Sequence, residues 1–323
     1  MKPKVEEGDA SKYFFHPGVI ERGHIYFFYR PKVQHEQVHS IDDVKNLHML
    51  LVPRPPKFSV YGDQLASSSG EEEMTVLSEG ADVVPAAETL DQPNKHYRLL
   101  TIGKKRLPEA EGAREVFWAT VTAVGDNLHS LEGKFGERTY ETKTRGVRHE
   151  GHVRLAGRGV YAIANKKGHV PSRNATHLAY YLTHPSPPGA VQEGLGIHTA
   201  SSFVVQVKNP LADGPMYGAG VGLAAGKRAH YPDGILDHIF ERGSRGRHEY
   251  GLRFTTCQTI DLLEYEGAEL LMIAGRSGVA GLGEHRGEAL KEAGEAESEE
   301  DVFRELAMDR EAFPAEPLEG QWI

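Results

Sequence analysis

The residues best able to do chemistry lie in "YETKTRGVRHEGHVRLAGRGVY", from Tyr140 to Tyr161. Lys143, Arg145, Arg148, Arg154 and Arg158 stand there against only Glu141 and Glu150. A guanidinium is planar and can give two hydrogen bonds at once to a phosphate or carboxylate. Gly146, Gly151, Gly157 and Gly159 let backbone approach a ligand closely. The stretch therefore reads as an anion-binding loop before a β-strand, with Lys143, Arg145, Arg148, His149, Arg154 and Arg158 as the candidate site. The same residues also fit a solvated basic turn matched to the protein's own acids.

Other motifs carry less. "GAGVGLAAGK" (218–227) resembles a phosphate loop, but Arg228 follows Lys227 where Ser or Thr is required, and no apolar strand precedes it. It reads as a glycine-rich loop. His35 and His39 have the i, i+4 spacing of a helical metal pair, whereas His149 and His152 in "RHEGH" are three apart among glycines, so no metal site is assigned. Cys257 in "RFTTCQTI" reads as a buried apolar residue, and Glu264, Glu266 and Glu269 as the polar side of a turn. No catalytic residue and no cofactor motif is assigned. Phe117 and Trp118, with Tyr26 to Tyr29, are core if buried and base-stacking surfaces if exposed.

The elements that must position these residues are mostly strands. "GHIYFFYRPKV" (23–33), "VKNLHMLLVPRPP" (44–56), "KHYRLLTIGKKRLP" (95–108) and "REVFWATVTAV" (114–124) are apolar and β-branched runs, three of them ended by proline. "GRGVYAIANKKG", "THLAYYLTHPSPP" (176–188), "ASSFVVQVKNP" (200–210) and "LRFTTCQTIDLLEYEGAELLMIAG" (252–275) repeat that order of features. Short helices are expected in "DNLHSLEGKFG" (126–136), "YPDGILDHIFE" (231–241) and "SEEDVFRELAMD" (298–309). The expected fold is a strand-dominated α+β protein, with two barrel-like halves at 13–140 and 141–283 and an acidic tail at 284–323. Residues 63–94 have the low hydrophobicity and one-sign charge of a disordered insertion.

Charge is unevenly placed. The net charge is -9, yet residues 284–323 alone hold thirteen acids and four bases, also -9. A further seven acids and no base fall between Glu71 and Asp91, which leaves the remaining body at +7. A single cysteine forbids an internal disulfide. With no apolar run long enough for a signal peptide or membrane span, the expected compartment is cytosol or nucleus, away from membranes.

The runs "GHIYFFYRPKV", "YETKTRGVRH", "THLAYYLTHP", "FVVQVKNP" and "LLEYEGAELLMIA" resemble a family of fungal proteins labelled BTB domain transcription factor. The resemblance extends from about Tyr13 to "FPAEPLEGQWI" and implies a regulator acting through a protein-interaction domain. The residues themselves point to a non-enzymatic binding or regulatory protein whose basic surface engages a polyanion such as nucleic acid. Two alternatives stay open: an enzyme acting on a phosphorylated small molecule at 140–161, and a protein-interaction scaffold.

Overall fold

Period-two apolar strands dominate the computed structural model, which describes residues 13–35, 37–53, 96–109, 115–126, 131–144, 146–212, 222–244, 251–277 and 316–323. The strands are β1 (Gly18–Pro31), β2 (Val44–Pro53), β3 (Tyr97–Ile102), β4 (Val116–Gly125), β5 (Arg138–Thr142), β6 (Gly146–Glu150), β7 (Arg154–Lys166), β8 (Ala175–His184), β9 (Ala200–Lys208), β10 (Phe254–Thr256) and β11 (Glu269–Ser277). Three described helices, α1 (Glu132–Phe135), α2 (Ala190–Leu195) and α3 (Asp233–His238), have only four to six residues each. The proposed insertion at 63–94 and helix at 298–309 lie outside the described residues.

Eight strands close one antiparallel barrel in the order β1-β2-β3-β4-β11-β9-β8-β7, with β7 returning to β1 and β8 pairing β9. β10 adds to β9 outside the ring, and β5 with β6 forms a separate hairpin. The expectation of two barrel-like halves is thus corrected. Each half of the sequence supplies a four-stranded meander, and the two meanders share a single barrel.

The registers show that the meanders are related by a pseudo-two-fold axis. Gly23 pairs with Tyr161 and Gly159 with Ile25, so exchanging β1 and β7 superimposes one pair on the other. A Cβ on Gly23 would lie 2.1 Å from the Val52 carbonyl oxygen, and one on Gly159 2.2 Å from that of Tyr181. The β1–β7 ladder is irregular at two places, leaving Ile20 unopposed on β1 and Ala156 unopposed on β7. The offset of 136 residues that takes Gly23 to Gly159 also takes Ile20 to Ala156. A further pair of bulges follows the equivalent pairs Leu100–Val121 and Phe203–Ala274. Bulges re-aim strands at fixed points, so their repetition marks one backbone plan used twice.

Alternation along the strands separates an inside from an outside. Phe27, Met49, Leu100, Val121, Tyr161, Tyr180, Phe203 and Met272, one from each barrel strand, belong to one buried cluster. Only the barrel interior brings all eight strands together, and an eight-stranded ring is just wide enough for side chains to fill. On the outside of β1–β4, Tyr26, Phe28, Leu50 and Leu99 are covered by Leu131 and Phe135 of the α1 region and by Leu318.

Residues 316–323 pack onto the barrel, although they were expected within an acidic tail. Trp322 lies edge-on to Tyr29 at 5.4 Å, and the Val38 amide donates to the Ile323 carbonyl at 2.8 Å. Buried Gln192 of α2 donates to the carbonyls of Pro317 at 2.8 Å and of the bulge residue Ala156 at 2.6 Å. The bulge frees the Ala156 carbonyl from the ladder, and Gln192 uses it to tie helix, barrel and terminal segment together.

Candidate functional site

The structure divides the six residues nominated between Tyr140 and Tyr161. The first half of the stretch belongs to the β5–β6 hairpin rather than a loop, and its second half enters β7. Lys143 is exposed in its turn, and Arg145 lies outside the described residues. Arg148 donates to the Gln34 side-chain oxygen, while exposed His149 stands 3.6 Å from the Glu137 carboxylate. Arg154 is half-buried on β7 beside the Tyr29 hydroxyl, whose pKa burial pushes up to about 12. Arg158 is fully buried, 3.4 Å from both His24 Nδ1 and Thr183 Oγ1, and shares no surface with the hairpin. A glycine-rich basic run looks continuous in sequence, but the step from β6 to β7 carries its second half into the barrel wall.

Cations converge instead at the base of that hairpin. Two adjoining cavities, of about 600 and 1010 Å³, run across the outer wall of β2, β3 and β4 and share Lys45, Asn46, Thr101, Thr120, Thr122 and Leu223. Arg30, Lys45, Lys134, Arg138, Lys227 and Arg228 line the first, and Lys104, Lys105 and Arg106 add three more from the second. Against these nine stand the carboxylates Glu150, Glu266 and Glu115.

Several of these cations also hold the groove's frame. Arg30 is buried and donates to the carbonyls of Lys134, Gly151 and Gly136 at 2.5, 2.6 and 3.1 Å, clamping α1 and the hairpin's exit to β1. Burial, then the neighbouring Arg138, lowers its pKa, while Glu150 acts the other way. Lys45 pairs with Glu150, and Arg228 donates to the carbonyls of Leu223 and Pro210, both at 3.0 Å. Lys104, Lys134 and Lys227 have no ion-pair partner among the described residues.

His48 lies on the floor of the smaller cavity. Burial first, and then the charges of Arg30, Arg138 and Lys45, push its pKa down to about 3. Three separate cations thus stand near one neutral imidazole and, after burial, disfavour its protonation. Its Nδ1 lies 2.9 Å from Thr101 Oγ1, which lies 3.0 Å from Thr122 Oγ1, and Thr122 donates to the Leu99 carbonyl at 3.1 Å. The carbonyl can only accept, so Thr101 donates to Thr122 and His48 donates from Nδ1. The network fixes the tautomer.

The loop after "GAGVG" forms the far wall. Glu269 and Lys208 make a buried ion pair at 2.7 Å, and the Leu223 amide donates to Glu269 at 2.8 Å. Gly222 has φ +132, and a Cβ there would meet Glu269 Oε1 and Lys208 Nζ, each at 2.7 Å. Only glycine fits this close approach. Cys257 is buried with its thiol pKa pushed up to about 12, and Glu264, its pKa raised by burial, faces His96 at 3.5 Å.

Comparison of this chain with protein-family models, with curated proteins and with solved structures finds no match.

Proposed function

We propose that the protein is a non-enzymatic intracellular binder of polyanions, with nucleic acid as its partner, and that it binds along the groove on β2–β4. The observation that carries this reading is the excess of nine cationic side chains over three carboxylates on one continuous wall. Positions related by the pseudo-two-fold on the other meander are Val204 for Thr101, Leu271 for Trp118, Ile273 for Thr120 and Gly275 for Thr122. The barrel therefore does not itself require the hydroxyls and indole that line this wall beside the cations. The enzyme alternative is weaker here, because the His48–Thr101–Thr122 chain ends on a backbone carbonyl that can neither supply nor accept a proton in a reaction. The resemblance to fungal proteins labelled as transcription factors adds a transcription-related role to the reading.

The test is a variant carrying Lys104→Ala, Lys134→Ala and Lys227→Ala, which leaves no carboxylate newly unpaired among the described residues. Binding of a labelled single-stranded oligonucleotide is followed by fluorescence anisotropy across a range of salt. Each lost phosphate contact lowers the log–log salt slope by about 0.7, so a fall of about 2 is expected. An unchanged slope and affinity in a folded variant would refute the groove as the binding surface.

A further inference from the structure

Resting on that reading, we infer that Trp118 is a stacking platform for a base, so that the ligand is a single-stranded nucleic acid rather than a polyanion of any kind. Phe117 turns into the barrel, and the alternation puts Trp118 outside, half-buried in the wall of the larger cavity. Lys104, which has no ion-pair partner among the described residues, lines the same cavity and can take a backbone phosphate beside a stacked base. Lys105, held on the carbonyls of Ile41 and Asp42, and Arg106, paired with Glu109 and Glu115, add to the positive wall. Thr120 adds a hydroxyl that can donate to or accept from base edges and sugars, whereas Thr101 and Thr122, whose protons go to Thr122 and to the Leu99 carbonyl, can only accept. A cationic track beside an exposed aromatic ring is how proteins hold single strands, because every base offers a flat face.

The support behind the indole is unusual for an outer wall. Lys208 Nζ lies 5.7 Å from the Trp118 ring centroid, and Phe254 packs against the ring at 6.1 Å with a tilt of 46°. Lys208 and Glu269 are only 4% and 5% exposed, so their pairing carries a desolvation cost that a barrel wall need not bear. The pair contacts Trp118 on one side and, through Glu269, holds the Leu223 amide on the other. It fixes both the platform and the facing loop before any ligand arrives. Lys208 and Glu269 are thus positioning residues for Trp118.

The test compares three probes on the full-length protein: a single-stranded oligonucleotide, the same sequence as duplex, and inorganic polyphosphate. Trp118→Ala should weaken oligonucleotide binding by about 5- to 150-fold, the range for one stacked base, and leave polyphosphate binding within about twofold. Trp118→Phe, which keeps a ring, should restore most of the loss and guards against a folding defect. In Trp322→Phe, Trp118 is the remaining tryptophan, and its emission should be quenched by the oligonucleotide and not by polyphosphate. RNA and DNA versions of the strand distinguish the two sources of the same chemistry. If wild type binds oligonucleotide and polyphosphate but Trp118→Ala changes neither, the stacking inference falls and polyanion binding stands. Duplex binding as tight as single strand would also overturn it. If wild type binds none of the probes, the polyanion reading fails and takes this inference with it.

Discussion

Glu21→Gln keeps the shape of a side chain and removes its charge, at a place where the charge has no substitute of equal quality. Arg98 is fully buried on β3, and its Nη2 donates to Glu21. The Tyr161 hydroxyl donates to the other Glu21 oxygen at 2.5 Å. Arg98 Nε and Nη1 have no hydrogen-bond partner among the described residues, so Glu21 is the main compensation for a dehydrated cation. Breaking a buried pair from one side costs about 3–5 kcal/mol. Glu264, whose charge also acts on Arg98, offsets part of the loss, which puts the expectation at about 3 kcal/mol. The paired replacement Glu21→Leu with Arg98→Met should recover part of it, because apolar residues of similar volume often substitute for an ion pair at little cost while the Tyr161 hydroxyl loses its acceptor. The pseudo-two-fold supports this, since the positions equivalent to Glu21 and Arg98 are the uncharged Gly157 and Ser201. Urea denaturation, followed by tryptophan emission, gives the stabilities and the coupling between the sites. A cost below about 1 kcal/mol for Glu21→Gln, or strict additivity in the double variant, would refute the argument.

Gly23→Ala and Gly159→Ala should each destabilise by about 3 kcal/mol or more, since the obstructing atom is a backbone oxygen and cannot rotate away. Their urea midpoints should fall by similar amounts, and a large drop for only one would contradict the equivalence of the two meanders. For His48, the folded-state pKa of about 3 lies below the ordinary value of 6.5, so the unfolded chain takes up the proton first. Its contribution is whole above about pH 6.5 and is lost as pH falls toward about 3. His48→Gln should flatten that part of the stability–pH curve, and parallel curves for variant and wild type would rule the effect out.

The strands were legible because their apolar residues alternate and end in turn residues; "NLHMLLV" and "SFVVQV" fall inside β2 and β9. The repeated order of features was legible for the same reason, but its register was not. Matching Tyr26 with Tyr161 by eye pairs an outward ring with an inward one. The bulges and glycine contacts match Gly23 with Gly159 instead. A shift of one residue exchanges the two faces of a strand, and only pairing partners decide it. The groove could not be read because its cations come from β1, β2, the turn after β3, the α1–β5 region and the loop near Ala225. Charge density in the sequence favoured 140–161, whereas the closed sheet gathers sparse cations from distant segments. Burial of Arg158 is likewise set by its partners across the barrel wall, since a guanidinium in sequence reads as surface.

The two seams, β1 with β7 and β4 with β11, join strands that occupy equivalent places in their meanders. One meander alone would expose a β1-type edge and a β4-type edge, and each is complementary to its own copy in antiparallel sense. Two separate chains of a single meander could therefore close the same ring as a homodimer, its dyad lying where the pseudo-two-fold lies now. Such a dimer would be bound to carry identical walls on both sides. Joining the halves in one chain removes that constraint: one wall keeps Thr101, Thr120 and Trp118 while the other holds Val204, Ile273 and Leu271. Covalent linkage is what permits a two-fold scaffold to be one-sided.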